Sequence, residues 1–327
     1  MRILVTGASG FIGGRFARFA LEQGLDVRIN GRRAEAVAHL VKRGAQFIPG
    51  DLSNAEVARR LCQGVDIVVH CAGAAGTWGR YQAFYQGNVV LTENIVEGCL
   101  KEHVRRLVYL SSPALYGDGK GLLEVSEAQL PRHFHNACAA TRHVAEQKVF
   151  GAGEFGLEVV ALRPSPVVGA GDMRLFPAWI EQQNKGRLAI IGNGLNSVDF
   201  TSMSNLNEAL LAALFVDTPA LGQAYNISNG QPVPLWDAIN YVMRQLQLPQ
   251  ATRYRSARAA YALAALNEAG CLAWPGRPTP RATRAAVKYA SRDFTLDISR
   301  ARQHLDYRPK VSLWSGLDEF CTWWRGA

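Results

Sequence analysis

Three glycines, Gly7, Gly10 and Gly13, follow Arg2-Ile3-Leu4-Val5, an apolar run that predicts a short buried strand. After them Phe11, Ile12, Phe16, Phe19 and Ala20 recur at helical spacing. Such a loop, Thr6-Gly7-Ala8-Ser9-Gly10-Phe11-Ile12-Gly13, can hold phosphate. Gly7 admits a backbone conformation closed to other residues, Gly10 lets the main chain approach a pyrophosphate, and Gly13 lets helix pack on strand. The helix start, from Ser9 to Ile12, offers free N–H groups and the positive end of its dipole. In this strand-to-helix setting the spacing predicts a dinucleotide site. A second reactive pair, Cys138 and Arg142, lies one helical turn apart. A thiol with a pKa of about 8.5 gives up its proton more readily beside a cation. Arginine stays protonated and can bond hydroxyls without relaying a proton. The plain alternative for Cys138 is a small, half-buried helix residue with no chemistry.

The elements that must position these groups alternate along the chain. Leu25 to Asn30 predicts the second strand, and it ends in Asn30-Gly31-Arg32-Arg33 where a carboxylate would bond the ribose 2′-hydroxyl of NAD. Guanidinium groups instead clamp a 2′-phosphate through paired, charge-assisted bonds, so Arg32 and Arg33 favour NADP over NAD. Their other reading is the solvated first turn of the next helix. Gly50-Asp51-Leu52 follows a third strand, with Asp51 placed to accept from the adenine amino group. Asp66 to His70 runs into Cys71-Ala72-Gly73, small residues that let backbone approach the cofactor. Arg106 to Leu110 ends at Ser111-Ser112, and Leu157 to Leu162 at Arg163-Pro164-Ser165-Pro166-Val167. This βαβ alternation predicts an α/β fold, a Rossmann-like doubly wound parallel sheet with ligands at the carboxyl ends of its strands.

With these landmarks in place, the chain resembles the extended short-chain dehydrogenase/reductase superfamily. It looks most like the branch holding 3β-hydroxysteroid dehydrogenases and 2-alkyl-3-oxoalkanoate reductases. The glycine loop, Gly50-Asp51-Leu52, Ala72-Gly73, Asn88-Val89-Val90, Ser111-Ser112, Leu162-Arg163-Pro164 and the run Tyr225 to Trp236 carry the resemblance. It implies a Tyr-x-x-x-Lys pair on the helix after the fifth strand, and the matching positions here are Cys138 and Arg142. It also implies that Ser112 bonds the substrate carbonyl, that the residue matching Lys holds the nicotinamide ribose, that Pro164 and Val167 lie near the cofactor, and that Tyr116 is structural. A homodimer through helices of the cofactor domain is a further implication. Loss of a positioned acid or base costs about 10²–10⁴ in rate. Two readings follow. One is an NADP-dependent oxidoreductase acting on a hydrophobic β-keto acid, ester or steroid-like compound. The other keeps the cofactor fold with lost or altered catalysis, such as elimination, epimerisation or NADP(H) sensing.

Residues 1–170 are expected to form the cofactor domain, with a returning strand near 225–228. Residues 171–327 form a smaller, mostly helical substrate region interleaved with it. Thr77 and Trp78 follow the fourth strand, where substrate-facing loops begin, so Trp78 walls a pocket or caps the core. His133-x-His135 lacks further ligands at metal spacing, so no metal is expected and both read as polar loop residues. The six cysteines show no C-x-x-C spacing and the first strand begins at residue 2, which points to reduced thiols in a cytoplasm. The formal charge of +9 is uneven: residues 251–302 hold ten Lys or Arg against three acids. Within them Ala257 to Trp274 is largely apolar. It reads as a core helix with solvated arginines, as a lid over an acyl chain carried on coenzyme A or a similar anionic carrier, or as a contact with an anionic membrane. Nucleic acid is excluded as a partner because no recognition motif accompanies the charge.

Overall fold

The computed structural model describes residues 1–117, 122–134, 136–275 and 278–326. Seven parallel strands form the central sheet: β1 (Arg2–Thr6), β2 (Asp26–Gly31), β3 (Gln46–Pro49), β4 (Ile67–His70), β5 (Arg106–Leu110), β6 (Glu158–Pro164) and β7 (Gln223–Ile227). Their spatial order is β7-β6-β5-β4-β1-β2-β3. Val5 lies in register with Ile29 on one side and Val69 on the other, and Val69 with Val108. Helices cover both faces, so the middles of β1, β4 and β5 are continuous apolar runs, Ile3-Leu4-Val5, Ile67-Val68-Val69 and Leu107-Val108-Tyr109-Leu110. Ile3 and Val5 pack with Phe16 and Ala20 on one face, and Leu4 and Val68 with Leu61 and Ile95 on the other. The strand order reverses between β1 and β4, so the carboxyl ends of these two strands border a crevice.

Beyond β6 the chain builds a third core from Phe176, Ile180, Phe200, Trp236, Ile239, Leu317 and Phe320. Its helices are Leu175–Asn184, Leu235–Gln245 and Leu313–Arg325. A small four-stranded sheet, unforeseen from the sequence, joins Val233–Pro234, Ser197–Val198, Phe294–Leu296 and Leu122–Val125. Among the described residues no helix is long and apolar enough to cross a membrane.

The core-helix reading of Ala257 to Trp274 is overturned. The helix Ala257–Ala273 buries only Ala264 and Glu268, while Leu263, Leu266 and Leu272 are more than half exposed. Among the described residues it packs mainly on the shorter helix Arg284–Ser291. Apolarity all round the helix does not fix which side its neighbours cover.

Candidate functional site

The glycine loop is shaped by backbone contacts. Gly7 has φ +68°, and a Cβ there would lie 2.8 Å from the Ala72 amide nitrogen. A Cβ on Gly13 would lie 2.5 Å from the Gly7 carbonyl oxygen. Gly10 is the N-cap of the helix Phe11–Glu22 (α1), and no side chain caps this helix. Its first-turn N–H groups therefore have no partner within the helix and face the crevice beside β4. Ser9 is exposed, with its side chain 3.6 Å from where a Cβ on Gly31 would stand. These features fit a pyrophosphate.

Asn30 is committed to structure: its amide donates to the carbonyls of Ile48 and Gly50, tying β2 to the end of β3. Arg32 and Arg33 are exposed just after β2 and precede the short helical turn Glu35–Val37, so they are not part of it. Asp51 is exposed and accepts from the Ser53 amide, which holds its carboxyl below the usual range with help from Arg32. Leu52 is buried beneath it.

At the other end a cavity of about 780 Å³ opens at the ends of β5 and β6. Phe11, Ile12, Thr77, Trp78, Ser112, Cys138, Arg142, Pro164 and Val167 all line it. Trp78 is thus a pocket wall. The helix Ala137–Gly151 (α2), capped by the Asn136 side chain, presents Cys138 and Arg142 on one face. Cys138 Sγ lies 3.7 Å from the Ala74 carbonyl oxygen. Arg142 donates to the Leu110 carbonyl at 2.8 Å and to Ala74 at 3.5 Å, linking the loops that follow β4 and β5. A Cβ on Gly73 would stand 2.6 Å from its guanidinium, so a bare backbone there makes room for it. Asn88 sits in a π-helical turn, Tyr85–Val90, donates from its side-chain amide to Thr141, and leaves its side-chain Oδ1 buried without a partner among the described residues. Ser112 Oγ accepts from the Ala114 amide at 3.2 Å, which leaves the hydroxyl proton free to donate into the cavity. Tyr116 is structural: it donates to Asn226 and accepts from Arg163. His133 is exposed and is not among the cavity's lining residues, and His135 lies outside the described residues. No cluster of metal-ligating residues occurs among the described residues.

Beneath the cavity, His70 is fully buried between Thr6 and Thr92, at 2.7 Å and 3.1 Å. Burial, helped by the Arg142 charge, lowers its pKa to about 3. Burial likewise pushes the neighbouring Cys71 thiol up to about 12, which makes it inert at neutral pH. Neutral His70 therefore contributes stability above its unfolded pKa of about 6.5, and that contribution is lost as pH falls toward 3. The expected loss is about 3–5 kcal/mol across this window. Unfolding free energy measured against pH should slope there in the native protein, and less steeply in His70→Asn. Parallel slopes would contradict this.

Several cavity residues escaped the sequence reading. Arg174, Tyr261, Glu268, Arg284, Lys288, Tyr289 and Arg292 reach it from the second half of the chain. Glu268 is paired with Arg284, and Arg174 donates to the Ala75 carbonyl. The Lys288 ammonium lies 5.7 Å from the Tyr261 ring centre. The basic run at 251–302 and the reading of Ala257 to Trp274 as a lid were the available signals, but neither separated lining side chains from solvated ones. Arg277 of that run lies outside the described residues.

Comparison with known proteins gives this geometry a lineage. The family model of the NAD dependent epimerase/dehydratase family matches residues 3–228. The 2-alkyl-3-oxoalkanoate reductase of Stenotrophomonas maltophilia is 33% identical over 326 residues, 97% of each chain. A decarboxylating sterol-4-alpha-carboxylate 3-dehydrogenase of Bos taurus is 30% identical over 263 residues, 77% of this chain and 72% of the relative. UDP-glucuronic acid 4-epimerase from Bacillus cereus, in complex with NAD, shares the fold at a TM-score of 0.79 and 23% identity, covering 100% and 99% of the two chains. With a glycine-loop crevice at the switch point of its parallel sheet and a family match over most of its length, the chain belongs to the NAD-dependent epimerase/dehydratase family, among the extended short-chain dehydrogenases/reductases.

Proposed function

We propose that the protein is an NADP-dependent oxidoreductase acting on a hydrophobic β-keto or β-hydroxy acid. The observation that carries this is the make-up of the cavity. Ser112, Cys138 and Arg142 line it from the cofactor half, and Lys288 and Arg292 bring cationic side chains from the other. The names of both relatives describe a carboxylate on the carbon next to the oxidised one. A cavity with apolar walls and cationic groups, of which Lys288 and Arg292 have no ion pair among the described residues, suits such an amphiphile. The glycine loop, Arg32 and Arg33 would hold the dinucleotide, with the two arginines selecting a 2′-phosphate. When bound, it supplies or accepts the hydride at its nicotinamide C4. Ser112 Oγ donates to the substrate oxygen. The Cys138 thiol, directly or through a water, exchanges the proton there in place of the tyrosine that the family pattern carries at this position. Arg142, in place of lysine, has donors left for ribose hydroxyls beyond those given to Leu110 and Ala74.

A second reading keeps the cofactor and gives up turnover. It is favoured by the direction of the Cys138 thiol, toward the Ala74 carbonyl, and by the engagement of Arg142 with two main-chain carbonyls. Following NADPH absorbance with a 2-alkyl-3-oxo acid separates the two. The reductase reading expects loss of NADPH with the native protein, and a gain of about 10²–10⁴ in rate in Cys138→Tyr/Arg142→Lys. Turnover in that variant alone, with the native protein still binding NADPH, would move the assignment to the second reading.

A further inference from the structure

We infer that the helix Ala257–Ala273 is a docking face for an anionic lipid surface, seated by its apolar outer side. Ordinary surface helices turn charge outward and apolar side chains inward. This one is reversed. Its inward side holds Ala264, Tyr261 and the acid Glu268, which is paired with Arg284. Its outward side carries Leu263 and Leu266, 63% and 71% exposed, and Trp274 at its end is 69% exposed. A shallow hollow of about 260 Å³ lies between Leu266, Gly270, Cys271 and Trp274. The helix has 17 residues, so this side runs for about 25 Å.

The rim selects the occupant. Arg258 in the first turn of the helix and Arg253, Arg255 and Arg281 outside it are exposed, whereas none of the three acids of residues 251–302 is exposed. A second copy would bring a like-charged rim against this one, in a chain of net charge +9. Nucleic acid offers anions but no apolar counterpart to the leucines. A bilayer surface bearing anionic headgroups offers both: acyl chains for Leu263, Leu266 and Trp274, and charge for the arginines. Tyr261 and Glu268 of the same helix line the cavity, so docking would set the roof of the cavity against the membrane.

Flotation of the full chain with vesicles tests this, using phosphatidylcholine alone and phosphatidylcholine mixed equally with phosphatidylglycerol. The expected result is at least about tenfold more bound protein on the anionic vesicles at low salt, falling as salt rises. Leu263→Ser/Leu266→Ser and Trp274→Ser should each lower that binding several-fold, with unchanged thermal midpoints and NADPH affinity. Absence of binding to the anionic vesicles would overturn the proposal, as would variants that bind like the native protein. A concentration-dependent dimer in sedimentation that the same substitutions abolish would assign the face to a second copy instead.

Discussion

Gly13→Ala is expected to destabilise the protein by about 1–3 kcal/mol or more and to weaken dinucleotide binding at least about tenfold. The added methyl would stand 2.5 Å from the Gly7 carbonyl oxygen, 2.8 Å from its carbon and 3.1 Å from the Thr6 oxygen. All three atoms are backbone, so no rotamer change relieves the clash. Either α1 lifts away from β1 or the loop shifts, and each disturbs the row of N–H groups at the crevice. Gly7→Ala is harmful for two reasons, its φ of +68° and a Cβ 2.8 Å from the Ala72 amide. Gly10→Ala separates stability from binding. Its Cβ meets only the Gly7 carbonyl oxygen, at 3.2 Å, so the fold should tolerate it. The methyl would point where a pyrophosphate must come close. Thermal unfolding combined with fluorescence titration of NADPH checks the pattern. Gly13→Ala should lose both properties, and Gly10→Ala binding far more than stability. Equal damage at the two positions would refute this division of roles.

The same physics explains what the sequence revealed. β1, β4 and β5 were legible because the middle of a strand buried on both faces is apolar, as in Ile67-Val68-Val69. The glycine loop was legible because its constraints are local, between residues 6 and 13. The cavity was legible on its cofactor side, at Thr77, Trp78, Ser112, Cys138, Arg142, Pro164 and Val167, which lie at or soon after strand ends or on the helix that follows β5. Lys288 and Arg292 reach it from a helix and a loop far along the chain, and nothing in their neighbours marks them as lining. The small sheet was hidden for a similar reason. Leu122–Val125 pairs with Phe294–Leu296 across more than 160 residues, and Ser197–Val198 is too short to show a period. Glu124, at φ 50°, further breaks the alternation a strand would show. The helix Ala257–Ala273 failed differently: hydropathy reported its apolar content and said nothing of which face its neighbours cover.

Glu146→Ala should be the most destabilising single side-chain loss outside the glycine loop, at about 3–5 kcal/mol. Arg163 donates from Nε to Glu146 Oε2 at 3.0 Å and pairs again through its Nη2. Both side chains are almost dry, 3% and 0% exposed. The Arg163 Nη1 donates to Tyr116 and to the Glu127 carbonyl, and the Tyr116 hydroxyl donates to the Asn226 side-chain oxygen on β7. Removing the acid therefore strands a buried guanidinium, and a domain has only about 5–15 kcal/mol of stability in all. The effect extends to the cavity. Glu146 lies one turn beyond Arg142 on α2, and Arg163 precedes the cavity residue Pro164 on β6, so this pair fixes the helix of Cys138 against the strand. A decisive check is urea unfolding of Glu146→Ala beside Glu146→Leu/Arg163→Met. If an uncompensated charge is the cause, the double variant should recover much of the stability lost in the single one, because neither charge of the pair is left in it. Tyr116→Phe should cost only about 1–3 kcal/mol, the cost of leaving its buried partners short of a hydrogen bond. A double variant at least as unstable as Glu146→Ala would show instead that packing and geometry hold this junction, with charge secondary.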